Sequence, residues 1–542
     1  MLARRLGLVV QSAWHLAHVA AWATQQGLRV VAQAGLLVHV EADPDLLALA
    51  LGGVGGPDWH REQDWHWSGP LRKPPGVVAV TGLSARGRVH PHVQWQSPPP
   101  ITDPPGPGPG YHPQQLWAAY GCAGAAEDGT GQVIGIAEWG VGFQQSDLDQ
   151  FCQDMGLPPV TPQVVNVGGT ALSFDPSQGP EATLDIAWAH AMAPGAQIRV
   201  YQHAGASDIQ SFAAGVSEVL NAVLTDSVTP CCLSISYGDG EDSFHPEDLQ
   251  AWEHLIAALA AKGITVFVSA GDQGAYGHHV PGLQQVPRVE APASCPSAVA
   301  VGGTSLYMNL TTFEDERVWS NRYNAGATGG GYSAVFTTPA YQTALHLASR
   351  GVPDVAAVAD PWTPAYLRFN GQPVIIGGTS LAAPVVAGIW ARIAQARHAA
   401  GLPPLGDPHA LLYQHGAQIC RDIVEGTNTC FATTGYPASP GWDACTGWGS
   451  PLYTQWKTVF ATAASPPSPV DPKTLTVRQL ADAPDGQFGA SWIPLQQAAR
   501  TVMAAAQAIG QNALAAFAEH PVGYYDAIQR AAAQLWIAGV RS

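Results

Sequence analysis

The sequence contains little charge, and positive charge is the scarcer kind. Only 12% of its 542 residues are charged, about half the share that is usual in soluble proteins. With 24 Lys and Arg against 41 Asp and Glu, the formal net charge is −17. This balance excludes a nucleic-acid binder that relies on a basic face. Because acid neutralises carboxylates while the 19 histidines gain charge, the composition suits a protein that works in acid.

Long hydrophobic runs are also missing, which argues against a membrane span. No run reaches 18 apolar residues, and the Ala-rich stretch 498–518 is interrupted by one Arg and three Gln or Asn residues. At the N-terminus, MLARRLGLVV has an apolar run that Gln11 ends, too short to predict a signal peptide. Eight cysteines permit disulfides without requiring them.

The chain is long enough for two or three domains, and its composition changes along its length. Residues 1–92 alternate a helical stretch with strand-like runs such as GLLVHVEA, which predicts a small α+β module. The linker 93–112 contains the tract SPPPITDPPGPGPG, which is typical of an extended, exposed connection. A second proline cluster separates the region 113–463 from an Ala/Gln-rich tail, 464–542, for which we expect helices.

The region 113–463 has the pattern of an α/β domain. Short apolar runs, among them QVIGIAEW, QIRVYQ, CCLSISYG and GITVFVSAG, alternate with helical segments. Buried runs of this kind predict a parallel sheet with helices on both faces.

Three segments of this region carry residues suited to catalysis. In GGTSLAAPVVAGIW, Ser380 follows an apolar run and begins a helix, so that its backbone N–H faces the positive helix end. Taken alone, GGTS is more often a plain turn or a helix cap.

The second segment, GPEATLDIAWAHAMAPGA, places Glu181 and Asp185 four residues apart. Their carboxylates therefore share one helix face, where like charges repel and, once partly buried, share a proton. Taken alone, a solvated acidic helix start, favoured by the helix dipole, is the commoner explanation.

The third segment, VFVSAGDQGAYG, places Asp272 in a glycine turn directly after an apolar strand. Sites in α/β sheets form at the carboxyl ends of strands, although an aspartate that caps a turn is the commoner explanation on its own.

Together the three segments resemble the sedolisin family of serine-carboxyl peptidases, in which E-x-x-x-D, an Asp in SxGD and the Ser of GGTS act together. HPQQLWAAYG, GGGYSAVFTTPAYQ and GVPDVAAVADPWT also resemble family segments, in the family's order. The likeness covers most of residues 111–455 and implies a subtilisin-like α/β fold. The joint occurrence of these motifs makes the separate commoner explanations untenable.

The resemblance implies a role for each candidate residue. Ser380 would be the nucleophile, Glu181 would take and return its proton, and Asp185 would orient Glu181. Asp272, protonated in acid, would donate a hydrogen bond to the oxyanion beside the Ser380 N–H. At pH 3.5 a histidine would be only about one part in a thousand neutral, whereas a carboxylate remains usable as a base. An HGTHVAG-like histidine segment is absent, which argues against an ordinary neutral subtilisin.

The resemblance also implies one Ca²⁺ ion, a ligand type suited to all-oxygen shells. Its ligands in CRDIVEGTNTC and SPGWDACTGWGSP would be the Asp422 and Asp443 carboxylates and the carbonyls of Ile423, Ser439 and Gly441. A disulfide between the two cysteines that bracket the first segment stays open.

Residues 13–92 resemble the latter part of the family's propeptide, which implies a zymogen with a truncated prodomain as its own N-terminal partner. The implied substrates are proteins or peptides, and the implied location is extracellular. A catalytically inactive homologue that acts as a binding or structural module is the main alternative. The choice between endopeptidase and tripeptidyl-peptidase activity and the oligomeric state stay open, and the tail resembles no family segment.

Overall fold

The computed structural model describes residues 4–463 with short gaps, and Arg500 beyond them. The gaps are residues 13–14, 43, 52–57, 62–64, 69–70, 72, 84–89, 92–93, 97–109, 170, 206–208, 278–286, 321–325 and 431–433. The chain divides into two compact units, 1–463 and 464–542. The proline-rich tract at 97–109 and the predicted helical tail both lie outside the described residues. Among the described helices, none is long and apolar enough to cross a membrane.

The N-terminal module consists of an antiparallel sheet and two helices. Its elements are β1 (Arg4–Val10), α1 (His15–Gln25), β2 (Arg29–Ala34), β3 (Leu37–Ala42), α2 (Pro44–Leu51), β4 (Asp58–Arg61), β5 (Trp65–Ser68) and β6 (Val77–Thr81). The sheet order is β2-β3-β1-β6, and β4 pairs with β5. Two short strands follow, β7 (His90–Pro91) at the end of the module and β8 (Gln94–Gln96) in the linker.

The main domain, residues 110–463, alternates strands and helices as the sequence predicts. Its first half contains α3 (Pro113–Ala119), β9 (Val133–Trp139), α4 (Gln145–Met155), β10 (Gln163–Val167), α5 (Glu181–Met192), β11 (Gln197–His203), α6 (Ile209–Thr225), β12 (Cys232–Ile235), β13 (Tyr237–Gly240), α7 (Pro246–Ala261) and β14 (Thr265–Ser269). Its second half contains β15 (Glu290–Ala291), β16 (Val299–Asn309), β17 (Thr312–Val318), β18 (Gly331–Tyr332), β19 (Gly351–Val352), β20 (Val355–Val358), β21 (Ala365–Phe369), β22 (Gln372–Gly377), α8 (Thr379–Ala399), α9 (His409–Ile419), β23 (Cys420–Arg421), β24 (Ser450–Pro451) and α10 (Tyr453–Phe460).

An eight-stranded, mostly parallel sheet organises this domain. Its order is β10-β11-β9-β12-β14-β16-β17, with β20 also pairing β16, and only the β16–β17 hairpin is antiparallel. One hydrophobic core, on the side of α5 and α8, contains Ile134, Ile136 and Phe267, and a second, on the side of α6 and α7, contains Val266 and Val268. The predicted subtilisin-like α/β fold, with helices on both faces, is confirmed.

Helices α5 and α8 pack unusually closely in the first core. Every residue of α5 is buried, and α8 is buried over nearly its whole length in spite of Pro384. At Gly388 of α8, a Cβ atom would lie 2.5 Å from the Met192 Cβ of α5. Since real Cβ atoms do not approach that closely, a glycine at this position allows the two helices to touch.

The N-terminal module packs against α6 and α7 of the main domain. Val9, Leu37 and Ala79 belong to the same hydrophobic cluster as the inner face of α6. At the rim of this contact, the Lys73 ammonium lies 3.0 Å from the Glu247 carboxylate. The module therefore covers apolar surface that both helices would otherwise expose.

Candidate active site

Ser380, the second residue of α8, lies at the carboxyl end of the parallel sheet, where a site is expected. The chain enters the helix through Gly378, whose φ of 103° is a conformation that favours glycine. The Ser380 side chain is buried, and its hydroxyl donates a hydrogen bond to the Ser236 carbonyl at 3.3 Å. Ser236 stands between β12 and β13, and no sequence motif pointed to it.

Glu181 and Asp185, in the first turns of α5, are fully buried rather than solvated. Burial raises the pKa of Glu181 well above its usual range, and the neighbouring Asp185 and Glu138 carboxylates raise it further. Interaction with the Ser380 hydroxyl opposes this rise in the pKa of Glu181. The hydroxyl and the two predicted acidic residues are therefore brought together.

Glu138, at the end of β9, extends this cluster. Its side chain is fully buried, and it accepts a hydrogen bond from the Tyr237 hydroxyl at 3.0 Å. Burial, followed by the charge of Asp185, raises the pKa of Glu138 well above its usual range, while the Tyr237 hydrogen bond opposes the shift. Neither Glu138 nor Tyr237 lies in the three segments that carry the predicted catalytic residues.

Asp272 lies directly beside the residue that precedes Ser380. The Thr379 amide and hydroxyl donate to Asp272 Oδ1 at 2.8 Å and 2.9 Å. At Gly271, where φ is 102°, a Cβ would lie 2.0 Å from Glu290, so that only glycine fits before Asp272. The Asp272 carboxyl group is thus held at the N-terminus of α8.

The four predicted catalytic residues accordingly form one site. Asp272 acts electrostatically on Glu181, as Asp185 and Glu138 do. A buried hydroxyl beside two coupled carboxyl groups, with a third carboxyl group at a helix N-terminus, has the parts needed for acyl transfer: a nucleophile, a base and an oxyanion donor.

The predicted calcium ligands also lie close together. Asp422 Oδ2 accepts a hydrogen bond from the Gly441 amide at 2.8 Å, and Asp443 Oδ2 accepts one from the Ser439 amide at 3.1 Å. Both carboxylates therefore face the loop 439–441, whose carbonyls were predicted as ligands. Among the described residues, no three His, Cys, Asp or Glu side chains form a metal cluster. The predicted set, two carboxylates with three carbonyls such as that of Ile423, is oxygen-only and suits Ca²⁺.

All eight cysteines are free thiols, so the disulfide left open by the sequence does not form. Cys420 lies at the end of α9, where its sulfur accepts a hydrogen bond from the Trp456 indole at 3.5 Å. Cys430, ten residues further along the chain, is also a buried free thiol and forms no disulfide with Cys420. Both cysteines are therefore explained as small apolar side chains of the core.

Comparison with known proteins agrees with this geometry. Residues 166–449 match the Subtilase family. Kumamolisin from Bacillus sp. (strain MN-32) is 35% identical over 71% of this chain and 70% of its own length. Sedolisin from Pseudomonas sp. (strain 101) is 32% identical over 69% of this chain and 65% of its own length. Bovine tripeptidyl-peptidase 1 is 33% identical, with 57% of each chain covered.

A solved structure of Pseudomonas sedolisin, a serine-carboxyl proteinase complexed with two molecules of pseudo-iodotyrostatin, superposes with a TM-score of 0.59 at 31% identity. The match covers 64% of this chain and 97% of that one. The fold is subtilisin-like, and the relatives are serine peptidases. The chain belongs to the sedolisin family.

Proposed function

We propose that this protein is an acid-acting serine-carboxyl peptidase that hydrolyses peptide bonds in proteins through an acyl-enzyme. The observation that carries the proposal is the burial of Ser380 among Glu181, Asp185 and Asp272, in a site with no histidine base among the described residues. Buried, interacting carboxyl groups share protons and titrate as a unit, so that one of them can accept a proton in acid, where a histidine is already protonated.

The reaction follows from the positions of these groups. Ser380 Oγ attacks the scissile carbonyl carbon while its proton passes to Glu181, which Asp185 orients. The tetrahedral oxyanion accepts hydrogen bonds from protonated Asp272 and from the Ser380 N–H at the α8 N-terminus. When the intermediate collapses, the leaving amine takes the proton from Glu181. Water then attacks the acyl-enzyme with Glu181 again as the base, which releases the acid product.

Ionisation of Asp272 would place a negative charge against the oxyanion and remove a donor. Activity should therefore fall as the pH rises towards neutrality, even though a larger fraction of Glu181 is ionised there.

The same proposal includes a zymogen. Strand β7 pairs with β13 at Tyr237 and Gly238, next to the Ser236 carbonyl that contacts Ser380. Strand β8 pairs with β22 at Gly377, three residues before Ser380. Strands β7 and β8 thus pair with backbone edges at both sides of the nucleophile, edges that a substrate strand needs. Maturation would release these edges by cleavage in the linker, and the location would be extracellular.

Calcium would act structurally in this protein. The ion would be held by the carboxylates of Asp422 and Asp443 and by the carbonyls of Ile423, Ser439 and Gly441. It would thereby connect the segment that begins at Cys420 to the loop before β24. We expect chelation to lower the melting temperature of the wild type. Asp443→Asn should lower it to a similar value and remove the response to chelator. A wild-type melting temperature that ignores both chelator and added Ca²⁺ would contradict the site.

The decisive experiment is hydrolysis of a peptide mixture between about pH 3 and pH 7, with Ser380→Ala as the control. We expect cleavage only in acid and a loss of roughly 10⁴-fold or more in the variant. Product masses distinguish internal cuts from removal of tripeptides. Folded protein without its N-terminal module that cleaves nothing at any pH would instead indicate the inactive homologue.

A further inference from the structure

Three aromatic side chains, Tyr332, Tyr436 and Trp442, form a cluster on the surface of the main domain. The Tyr332 ring is perpendicular to that of Tyr436, with centroids 5.2 Å apart, and its centroid lies 6.4 Å from that of Trp442. At Gly331 a Cβ would lie 2.8 Å from the Tyr436 ring, so that a glycine there admits the ring. Despite these neighbours, 40% of Tyr332 is exposed.

The backbone just before Tyr332 contacts the loop that carries Asp272. The Gly329 amide donates to the Gly271 carbonyl at 2.7 Å, and the Ala327 amide donates to the Asp272 carbonyl at 3.0 Å. A Cβ on Gly329 would lie 1.8 Å from the Ala270 carbonyl oxygen. The two backbones are therefore in contact, and Tyr332 follows three residues after that contact.

A second connection comes from the loop that carries the other two rings. The Tyr276 hydroxyl, four residues after Asp272, donates to the Thr434 carbonyl at 3.2 Å. The Trp442 indole donates to the Pro353 carbonyl at 3.1 Å, which fixes the ring. Trp442 also stands between the proposed calcium ligands Gly441 and Asp443. These hydrogen bonds hold the Trp442 ring and its loop in place within the aromatic cluster.

We propose that Tyr332, supported by Tyr436 and Trp442, determines substrate specificity by binding a large apolar or aromatic side chain of the peptide close to the scissile bond. The inference rests on the proposed peptidase function. Exposed aromatic surface on a segment that contacts the Asp272 loop can bind such side chains through apolar burial and edge-to-face contact. Tyr332 is the member with open ring surface, so its removal should affect the preference most.

The test uses the acid-processed protein and two peptides at each position flanking the cut, one with Phe and one with Ala. We expect Tyr332→Ala to lower kcat/KM about tenfold to a hundredfold for the Phe peptide at one position, mainly through KM, and to leave the Ala peptide nearly unchanged. Tyr332→Phe should retain the preference because the ring is kept.

Tyr307→Ala is the matched control, because Tyr307 is 42% exposed on the β16–β17 hairpin. It should alter neither peptide. Equal losses for both peptides in Tyr332→Ala, or an unchanged Phe/Ala ratio at every position, would overturn the inference while the peptidase proposal stands. A wild type that cleaves neither peptide in acid would overturn both.

Discussion

Two groups of buried ionisable residues in the main domain differ in how their charge is balanced. Glu138, Glu181 and Asp185 lie together, and burial and the neighbouring carboxylates raise the pKa values of both glutamates. Asp354 instead lies 2.5 Å from the Arg350 guanidinium and 3.5 Å from the His409 ring, with all three side chains fully buried.

The second group titrates in the opposite direction. Burial alone would raise the pKa of Asp354, but the charges of Arg350 and His409 outweigh it and lower that pKa. Burial opposes the protonation of His409, yet Asp407 and Asp354 raise its pKa to about 9. Equal depth in the core therefore yields opposite protonation states, because the neighbours decide them. One group retains protons, and the other holds fixed charges.

The largest expected effect comes from removing the proposed base, Glu181, in the first group. Glu181→Gln keeps the shape of the side chain but cannot accept the Ser380 proton, so kcat should fall roughly 10²–10⁴-fold. This variant should also be more stable than the wild type at neutral pH, because Glu181 ionises readily in the unfolded chain and burial opposes its ionisation in the folded protein.

The direction of this change in stability follows from the linkage between protonation and folding. A carboxyl group whose pKa is raised by folding favours the folded state below its unfolded value near 4.3, and this contribution is lost as pH rises through the folded value. Melting temperatures of wild type and Glu181→Gln, measured at about pH 4 and pH 7, should therefore diverge at pH 7. Parallel shifts at both values would contradict the raised pKa.

Removing the charge of Asp354 in the second group should affect stability more than activity. Asp354→Asn leaves the buried Arg350 without its anion, while His409 keeps Asp407. Removing one partner costs about 3–5 kcal/mol in comparable buried pairs. Denaturant unfolding near pH 5 measures this loss. In the wild type, the His409 contribution should be present below about pH 6.5 and disappear as the pH rises through about 9.

A matched variant separates charge from packing at that site. Tyr413→Phe removes only the hydroxyl that donates to Asp354 at 2.7 Å and keeps the ring, so it should cost about 1 kcal/mol. If Asp354→Asn were no more costly than Tyr413→Phe, the charges would not be the stabilising element.

The smallest effect is expected at Glu138. Glu138→Gln removes a negative charge that raises the pKa of Glu181, so the acidic limb of the kcat/KM profile should move to lower pH. Tyr237→Phe removes the hydrogen bond that lowers the pKa of Glu138, so Glu138 stays protonated to higher pH and that limb should move in the same direction by a smaller amount. Both profiles coinciding with the wild type would exclude a role for Glu138 in tuning the base.

Much of the fold was predictable because its strands are buried on both faces. Runs such as VFVS read as continuous apolar segments, and the glycine turns after them marked the carboxyl edge of the sheet. The three catalytic segments were predictable only as a set, through the family resemblance. Each alone is equally typical of a capped turn.

Other features depend on tertiary contacts that leave no local pattern. Helix α5 is buried on every side and so lacks the polar face that periodicity would detect. Strands β7 and β8 are two and three residues long, and their partners are more than a hundred residues away. The Ser236 carbonyl beside Ser380 belongs to the backbone, so no residue type could announce it.

The glycine contact between α5 and α8 has a consequence for how this catalytic site can change. Ser380 begins one helix and Glu181 begins the other, while Gly388 and Met192 set the distance between the two axes. Even a methyl group at residue 388 would spread the helices and move nucleophile and base apart together. Copying the four catalytic residues onto another scaffold would therefore transfer their chemistry only if the interhelical spacing were copied with them.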